Sequence, residues 1–292
     1  MTIAYRPQGL VFGVLGIATV LATVLLPRVD RATELIMVTV FVVLLGVPHG
    51  AMDALIARRL YGTDTPARWL AFASAYVAAA AAVVGVWMVA PAIFLTGFLV
   101  VSAAHFSADP RPGTLALSRV FYGGAIIVLP TLTHANEVAG LFELLAGPQA
   151  AAWTISVLEA LAFPWLVGLL TMAAFEARRD VVTGIELAAI AALSAFAPPL
   201  IAFGVFFCVM HSARHLLRIA AYASDLRPGA LLAVAMGPMA FVLGTSAACW
   251  FLLGNISVDA RIMQILFVGL AALTVPHMLL VERAHLSGWT AA

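Results

Sequence analysis

The chain has 292 residues, of which 64% are hydrophobic and only 10% are charged. This composition excludes an ordinary soluble domain and favours a protein that crosses a membrane several times. The formal net charge of +1, without a basic cluster, gives no support for a nucleic-acid partner. We expect an all-α fold, a polytopic transmembrane helical bundle that forms one integral membrane domain over residues 1–292 and lies in the cell membrane.

About ten membrane spans are predicted, because a helix needs about 20 apolar residues to cross the hydrocarbon core. The least certain divisions are at Pro91 and Pro198-Pro199, where proline marks either a tight turn between two spans or a kink within one. Residues 135–146 predict a short helix at the membrane interface. The predicted spans are 8–26, 34–57, 68–90, 91–108, 114–133, 152–174, 181–197, 199–221, 229–253 and 259–283.

The arginines fall unevenly on the two sides of this arrangement. The N-terminus, the loops after the second, fourth, sixth and eighth spans, and the C-terminus together carry twelve arginines, whereas the opposite side carries three. Basic residues accumulate on the cytoplasmic side of membrane proteins. We therefore expect both termini to lie in the cytoplasm.

Five of the seven histidines lie in even-numbered spans, which all run in the same direction. They lie near the cytoplasmic ends of these spans, and three of them precede the first charged residue by roughly 9–14 Å of helix. Independent packing residues have no reason to share one depth on four helices. Because imidazole binds iron, copper, zinc and nickel, the pattern favours one metal centre. The five are His49, His105, His211, His215 and His277.

The segment 211–215 reads HSARH, so its two histidines share one helix face and can chelate one ion. Such a pair alone is a weak metal signal, and a single histidine inside a membrane often only hydrogen-bonds to another helix. Pro48 and Pro276 directly precede two of the other histidines. A proline frees one backbone carbonyl in a helix, and membrane proteins tolerate this where protein or water satisfies the carbonyl.

Acidic residues follow three of the histidines. Asp53 lies four residues after His49, and Asp109 lies four after His105. A ligating imidazole usually donates its second N–H to a carboxylate or carbonyl, which fixes its tautomer. The aspartates are therefore expected to orient metal-binding histidines, on their own helix or on another, unless they pair with arginines at the membrane boundary. The acidic residues are Asp53, Asp109 and Glu282, and the arginines are Arg214 and Arg218.

The motifs GVPHGAMD, HFSAD, HSARH and VPHMLLVE follow one another between about residues 44 and 283. Together they resemble the Brp/Blh family of membrane β-carotene 15,15′-dioxygenases. The resemblance implies an iron(II) enzyme that cleaves β-carotene with O₂ at its central double bond into two molecules of all-trans-retinal. It implies His49, His105, His211 and His215 as iron ligands and leaves His277 as a candidate additional site residue. A retinal-binding rhodopsin is a candidate user of the product.

A carotenoid is about as long as the hydrocarbon core is thick, roughly 30 Å. Because the histidines lie near one end of the helices, a centrally cleaved carotenoid should lie tilted or across the bundle axis. We expect a lateral tunnel lined by small and aromatic side chains. The aromatic candidates, each of which can alternatively be a plain packing or lipid-facing residue, are Phe106, Tyr122, Phe203, Phe206, Phe207 and Trp250.

Other functions fit parts of the pattern. A membrane iron hydroxylase or desaturase acting on a lipid or carotenoid usually has several histidine boxes, whereas this sequence has one HxxxH. A zinc intramembrane protease is less favoured, because no HExxH occurs. A transporter needs polar groups at the bilayer midplane, and a haem-binding protein uses paired histidines as axial ligands. His134 and His285 lie outside the common depth and are expected to be ordinary polar residues.

Overall fold

The computed structural model describes residues 5–289 and contains helices joined by short connections. No β-strand occurs in this range, so the expected all-α polytopic fold is confirmed. Within these residues we number eleven helices: α1 Tyr5–Leu25, α2 Arg31–Tyr61, α3 Pro66–Val89, α4 Pro91–Phe106, α5 Ala116–Val128, α6 Thr131–Ala146, α7 Pro148–Arg179, α8 Val181–Phe196, α9 Pro199–Tyr222, α10 Pro228–Leu252 and α11 Val258–Arg283.

Prolines and polar caps set many of the helix ends. Pro91 begins a separate helix, because Ala90 leaves the helical region at φ −146° and ψ 66°. Ala197 is likewise extended, so Pro198-Pro199 also separates two helices. At the start of α2, the side chain of Asp30 accepts a hydrogen bond from the backbone N–H of Thr33, which satisfies one of the free N–H groups of the first turn.

The structure supports fewer full-length spans than the ten predicted. Seven helices are long and apolar enough to cross a membrane, and α5 with α6 adds an eighth if this pair, bent by 59°, is one span. The other two predicted spans correspond to α4 and α8, which have 16 residues each. Such helices are about 24 Å long and fall short of the hydrocarbon core. That α4 and α8 cross the membrane stays a prediction.

Helices α9 and α11, which carry three of the five clustered histidines, are the most buried of the long helices. In the most apolar stretches of α9 and α11, 61% and 50% of the residues are buried, compared with 0% in α3 and 6% in α10. Helices α3 and α10 therefore present most of their apolar surface outward, as lipid-facing helices do. The predicted short helix at 135–146 forms as part of α6 and packs against α7.

Three segments that were predicted to share the cytoplasmic side meet at Asp180, between α7 and α8. Its carboxylate accepts a hydrogen bond from Arg6 at 2.8 Å and pairs with Arg111 from the loop after α4. Burial alone raises the pKa of Asp180, but hydrogen bonds from Arg6 and Thr183 hold this pKa at about 2. At neutral pH the carboxylate is therefore ionised and links the N-terminal helix to two loops.

The assignment of this face to the cytoplasm is a prediction that a fusion protein can test. A reporter enzyme that is active only outside the cytoplasm should be silent when it is fused to the C-terminus, because the arginine distribution places that end inside. The same reporter fused just beyond Leu25, at the end of α1, should be active. The opposite pair of results would show that the orientation is reversed.

Candidate metal centre

The five histidines of the predicted layer converge in the centre of the bundle. They come from α2, α4, α9 and α11, and their ring centroids lie 4.6–5.4 Å from those of neighbouring histidines. Each of the five side chains is buried. The structure thus brings together all the histidines that shared one depth in the sequence: His49, His105, His211, His215 and His277.

The ring nitrogens of this cluster fit a metal ion. Donor nitrogens of His49, His105 and His277 all lie within 4.8 Å of one another. Among the described residues, the buried Nε2 atoms of His211, His215 and His277 have no hydrogen-bond partner. Leaving three buried polar atoms unpaired is unfavourable, and coordination of a metal ion would remove this cost. His277 is as much part of the cluster as the four histidines that the resemblance assigns.

Asp109 orients a histidine on another helix. Both of its carboxylate oxygens lie 3.0 Å from Nδ1 of His211, which is on α9. The histidine four residues before Asp109 in the sequence is a different one, His105. Arg214 and Arg218 contact Asp109 as well, but they donate to its backbone carbonyl, at 3.2 and 3.0 Å. The carboxylate is therefore not occupied by either arginine, and it fixes His211 with Nε2 as the free nitrogen.

Asp53 makes the corresponding contact with His277. Its Oδ1 accepts a hydrogen bond from Nδ1 of His277 at 2.8 Å, which joins α2 to α11. The Nδ1 of His49 lies 2.5 Å from the backbone carbonyl of Gly46 instead. Glu282, the third acidic residue expected to orient a histidine, is exposed. We therefore leave Glu282 out of the proposed centre.

Both long helices α2 and α9 contain a π-helical segment beside the histidines, at Val42–Gly46 and Phe206–Ser212. Such segments insert an extra residue into a helix and often occur at functional sites. The two pack closely, because a Cβ atom on Gly46 would lie 2.6 Å from the ring of Phe207. Gln8 of α1 donates to two backbone carbonyls of the second segment, at 2.9 and 3.3 Å.

A buried ion pair lies beside the histidines of α9, and the sequence analysis missed it. Arg214 and Glu186 pair at 2.8 Å, and neither side chain has any exposed surface. Gln8 accepts a further hydrogen bond from Nε of Arg214 at 2.8 Å. Glu186 lies inside the predicted span 181–197. Because an ionisable residue within a span usually marks a function, this position could have been identified from the sequence.

A cavity lies beside the histidines, lined mainly by apolar side chains from α4, α5, α6, α9 and α11. Two of the predicted tunnel residues, Phe106 and Phe203, line it. The ring of Phe106 lies 5.0 Å from that of His211, so this phenylalanine borders both the cavity and the cluster. Phe267 lines the cavity about ten residues before the histidine of α11, which is roughly 15 Å along the helix.

The other four aromatic candidates do not line this cavity. Phe207 stacks on a histidine ring of the cluster, with the two centroids 5.3 Å apart. Phe206 and Tyr122 are completely buried in the core and contact each other. Trp250 lies on the peripheral helix α10, where Arg261 stacks over its ring at 4.6 Å.

The two histidines outside the predicted layer also lie outside the cluster. His134 contacts the Thr133 hydroxyl at 2.6 Å and Arg28 at 3.4 Å. His285 is exposed and follows α11 with a positive φ of 53°.

Comparison with known proteins identifies the family of this chain. The family model for β-carotene 15,15′-dioxygenase matches residues 40–285, a range that contains all five clustered histidines. The chain belongs to this family. A β-carotene 15,15′-dioxygenase from uncultured marine bacterium 66A03 is 31% identical over 252 residues, which cover 82% of this chain and 90% of that protein.

A more distant relative is the probable β-carotene 15,15′-dioxygenase Blh of Halobacterium salinarum. It is 26% identical over 280 residues, which cover 82% of this chain and 81% of that protein. No solved structure shows significant similarity to the chain. The resemblance inferred from the four histidine motifs is thus confirmed by the family match and by relatives aligned over most of their length.

The contact between Asp109 and His211 leads to a prediction about metal binding. In the Asp109→Asn variant, the negative charge that holds Nδ1–H is lost, while the backbone carbonyl that Arg214 and Arg218 contact remains. We expect metal affinity to fall about 10–100-fold, with nearly unchanged yield of folded protein. Iron per folded molecule, measured by elemental analysis at a series of iron concentrations, checks this.

Asp64→Asn is the matched control, because the Asp64 carboxylate is exposed and pairs only with the exposed Arg58 among the described residues. It should leave metal affinity unchanged. If Asp109→Asn mainly lowers the yield and the surviving protein keeps its iron affinity, then Asp109 serves folding and does not orient a metal ligand.

Proposed function

We propose that this chain is an iron(II)-dependent dioxygenase that cleaves β-carotene with O₂ at the central 15,15′ double bond, giving two molecules of all-trans-retinal. The observation that carries the proposal is the cluster of five buried histidines, with unpaired nitrogens, inside the apolar bundle of a family member. Because the site is enclosed by membrane helices, a lipid-soluble substrate can approach it from within the bilayer.

The histidine cluster would hold the iron ion. His49, His105, His211, His215 and His277 would supply neutral imidazole nitrogens, and bound iron would supply the activation of O₂. The chain's own contribution is to orient these rings. Asp109 and Asp53 hold Nδ1–H of two of them, which leaves Nε2 as the donor atom.

The apolar cavity would bind one half of the carotenoid. Its lining residues include Phe106, which contacts a histidine ring, and Phe267, which precedes the histidine of α11 by roughly 15 Å of helix. Half of a molecule that is roughly 30 Å long has about this length. The other half must then extend sideways between helices. This position places the central double bond beside the histidines. It also agrees with the expectation that the carotenoid does not lie straight along the bundle axis.

The reaction needs few polar groups from the protein. Both atoms of O₂ end in the two aldehyde groups, so no water or other co-substrate is consumed. The aromatic side chains of Phe106 and Phe207, which contact the histidine rings, would exclude water from the reacting bond. We place the protein in the cell membrane, from which retinal can diffuse to a retinal-binding protein such as a rhodopsin.

Cells that make β-carotene provide the direct test of the activity. Expression of the chain should remove the orange colour and produce two equivalents of a C20 aldehyde per carotene, which chromatography and mass spectrometry measure. The loss should require oxygen and should be prevented when iron is chelated. Apo-carotenals of unequal length would contradict central cleavage, and hydroxylated carotenoid of intact length would indicate a hydroxylase.

Histidine replacements test the metal centre separately from the substrate. His105→Ala should lower both iron content and activity, because it removes a nitrogen donor from the cluster. His277→Ala should also lower iron content, since its Nε2 is unpaired in the same cluster. His134→Ala is the control and should change neither quantity. Full iron occupancy and activity in His105→Ala would refute the proposed ligand set.

A further inference from the structure

A tyrosine on a peripheral helix reaches the histidine cluster through Asp53. Tyr76 lies on α3, a helix that has no fully buried residue. Its hydroxyl donates a hydrogen bond to Oδ2 of Asp53 at 2.7 Å. The other oxygen of the same carboxylate, Oδ1, accepts from Nδ1 of His277 at 2.8 Å. The three side chains therefore form a continuous chain of hydrogen bonds from α3 to the metal centre.

The burial of Asp53 explains why this tyrosine matters. The residue is 4% exposed, so its carboxylate has almost no water to stabilise the negative charge. A buried carboxylate is strongly destabilised unless hydrogen-bond donors surround it. His277 supplies one donor and Tyr76 supplies the second, one to each oxygen. Without the tyrosine, one oxygen of the carboxylate would lose its donor.

The hydroxyl of Tyr76 has two acceptors within reach, and their distances indicate which of them receives its proton. The backbone carbonyl of Leu273 lies 3.5 Å away, compared with 2.7 Å for Oδ2 of Asp53. A hydroxyl has one proton, and the shorter contact to a charged acceptor is the stronger one. The tyrosine therefore donates to Asp53 and fixes the rotation of the carboxylate.

We propose that Tyr76 is a positioning residue of the metal centre, acting through Asp53 to hold His277 with its Nε2 directed at the ion. The effect is transmitted through hydrogen bonds. Tyr76 fixes the rotation of the Asp53 carboxylate, and that carboxylate holds Nδ1–H of His277. The unpaired Nε2 atom is then the metal donor. This inference rests on the proposed metal centre and adds a residue from α3, a helix that carries none of the histidines.

The Tyr76→Phe variant tests the proposal, because it removes the hydroxyl and keeps the ring that packs against Phe72 at 5.8 Å. Purified protein in detergent is titrated with Fe(II) and, for its visible absorption bands, with Co(II). We expect about tenfold weaker binding per folded molecule, the lower end of the range for outer-shell partners, and a shifted Co(II) spectrum. Tyr61→Phe is the matched control.

Tyr61, the control position, contacts the same phenylalanine as Tyr76 but has no hydrogen bond to Asp53 among the described contacts. Tyr61 also contacts the ring of Phe72, at 6.4 Å, and its hydroxyl accepts a hydrogen bond from Arg283 at the exposed end of the bundle. Metal affinity and the Co(II) spectrum should be unchanged in Tyr61→Phe. Equal losses in both tyrosine variants would mean that the effect comes from packing around Phe72, which would overturn the proposal.

A double variant separates positioning from a general structural effect. If Tyr76 acts through Asp53, adding Tyr76→Phe to Asp53→Asn should weaken metal binding less than twofold further. Independent, multiplying losses would contradict this, as would wild-type affinity in Tyr76→Phe alone. The titration needs no carotenoid, so the outcomes are distinct: a wild-type protein that binds no metal refutes both proposals, whereas normal binding and cleavage with an unaffected Tyr76→Phe refutes only this one.

Discussion

A polar side chain inside a lipid-embedded bundle cannot rely on water, so it needs a partner within the protein or a bound ion. Five imidazoles at one depth make that requirement severe, because each ring carries two nitrogens. Asp109 and Asp53 satisfy the Nδ1 atoms of two rings, and a backbone carbonyl satisfies that of His49. Donor nitrogens of His49, His105 and His277 lie within 4.8 Å of one another, and this proximity gives the site its capacity for a metal.

The backbone around the cluster is adapted to the same requirement. Two π-helical segments lie at the histidine-bearing turns of α2 and α9, and such segments often occur at functional sites. Gln8 supplies donors to α9 and also binds Arg214, whose partner is Glu186. A buried ion pair of this kind contributes little net stability, but losing one partner costs about 3–5 kcal/mol. It therefore fixes how α1, α8 and α9 fit together around the site.

The functional assignment combines two kinds of observation. An all-helical bundle hosts many functions, so the fold alone does not name the reaction. The histidine geometry indicates a metal centre, Phe106 borders both this centre and an apolar cavity, and membership of the family supplies the chemistry proposed for the centre. The position of His277 extends the four-histidine pattern, because this ring lies as close to its neighbours as the others do.

The sequence by itself determined the helical class, the approximate helix positions and the common depth of the five histidines, because hydropathy and position along a helix are local properties. It could not determine that Asp53 serves His277 and Asp109 serves His211, since a spacing of four residues also allows contacts within one helix. Those pairings depend on how neighbouring helices rotate and approach. For the same reason Tyr76, whose hydroxyl has no distinctive sequence context, became visible only once α3 was packed beside α11.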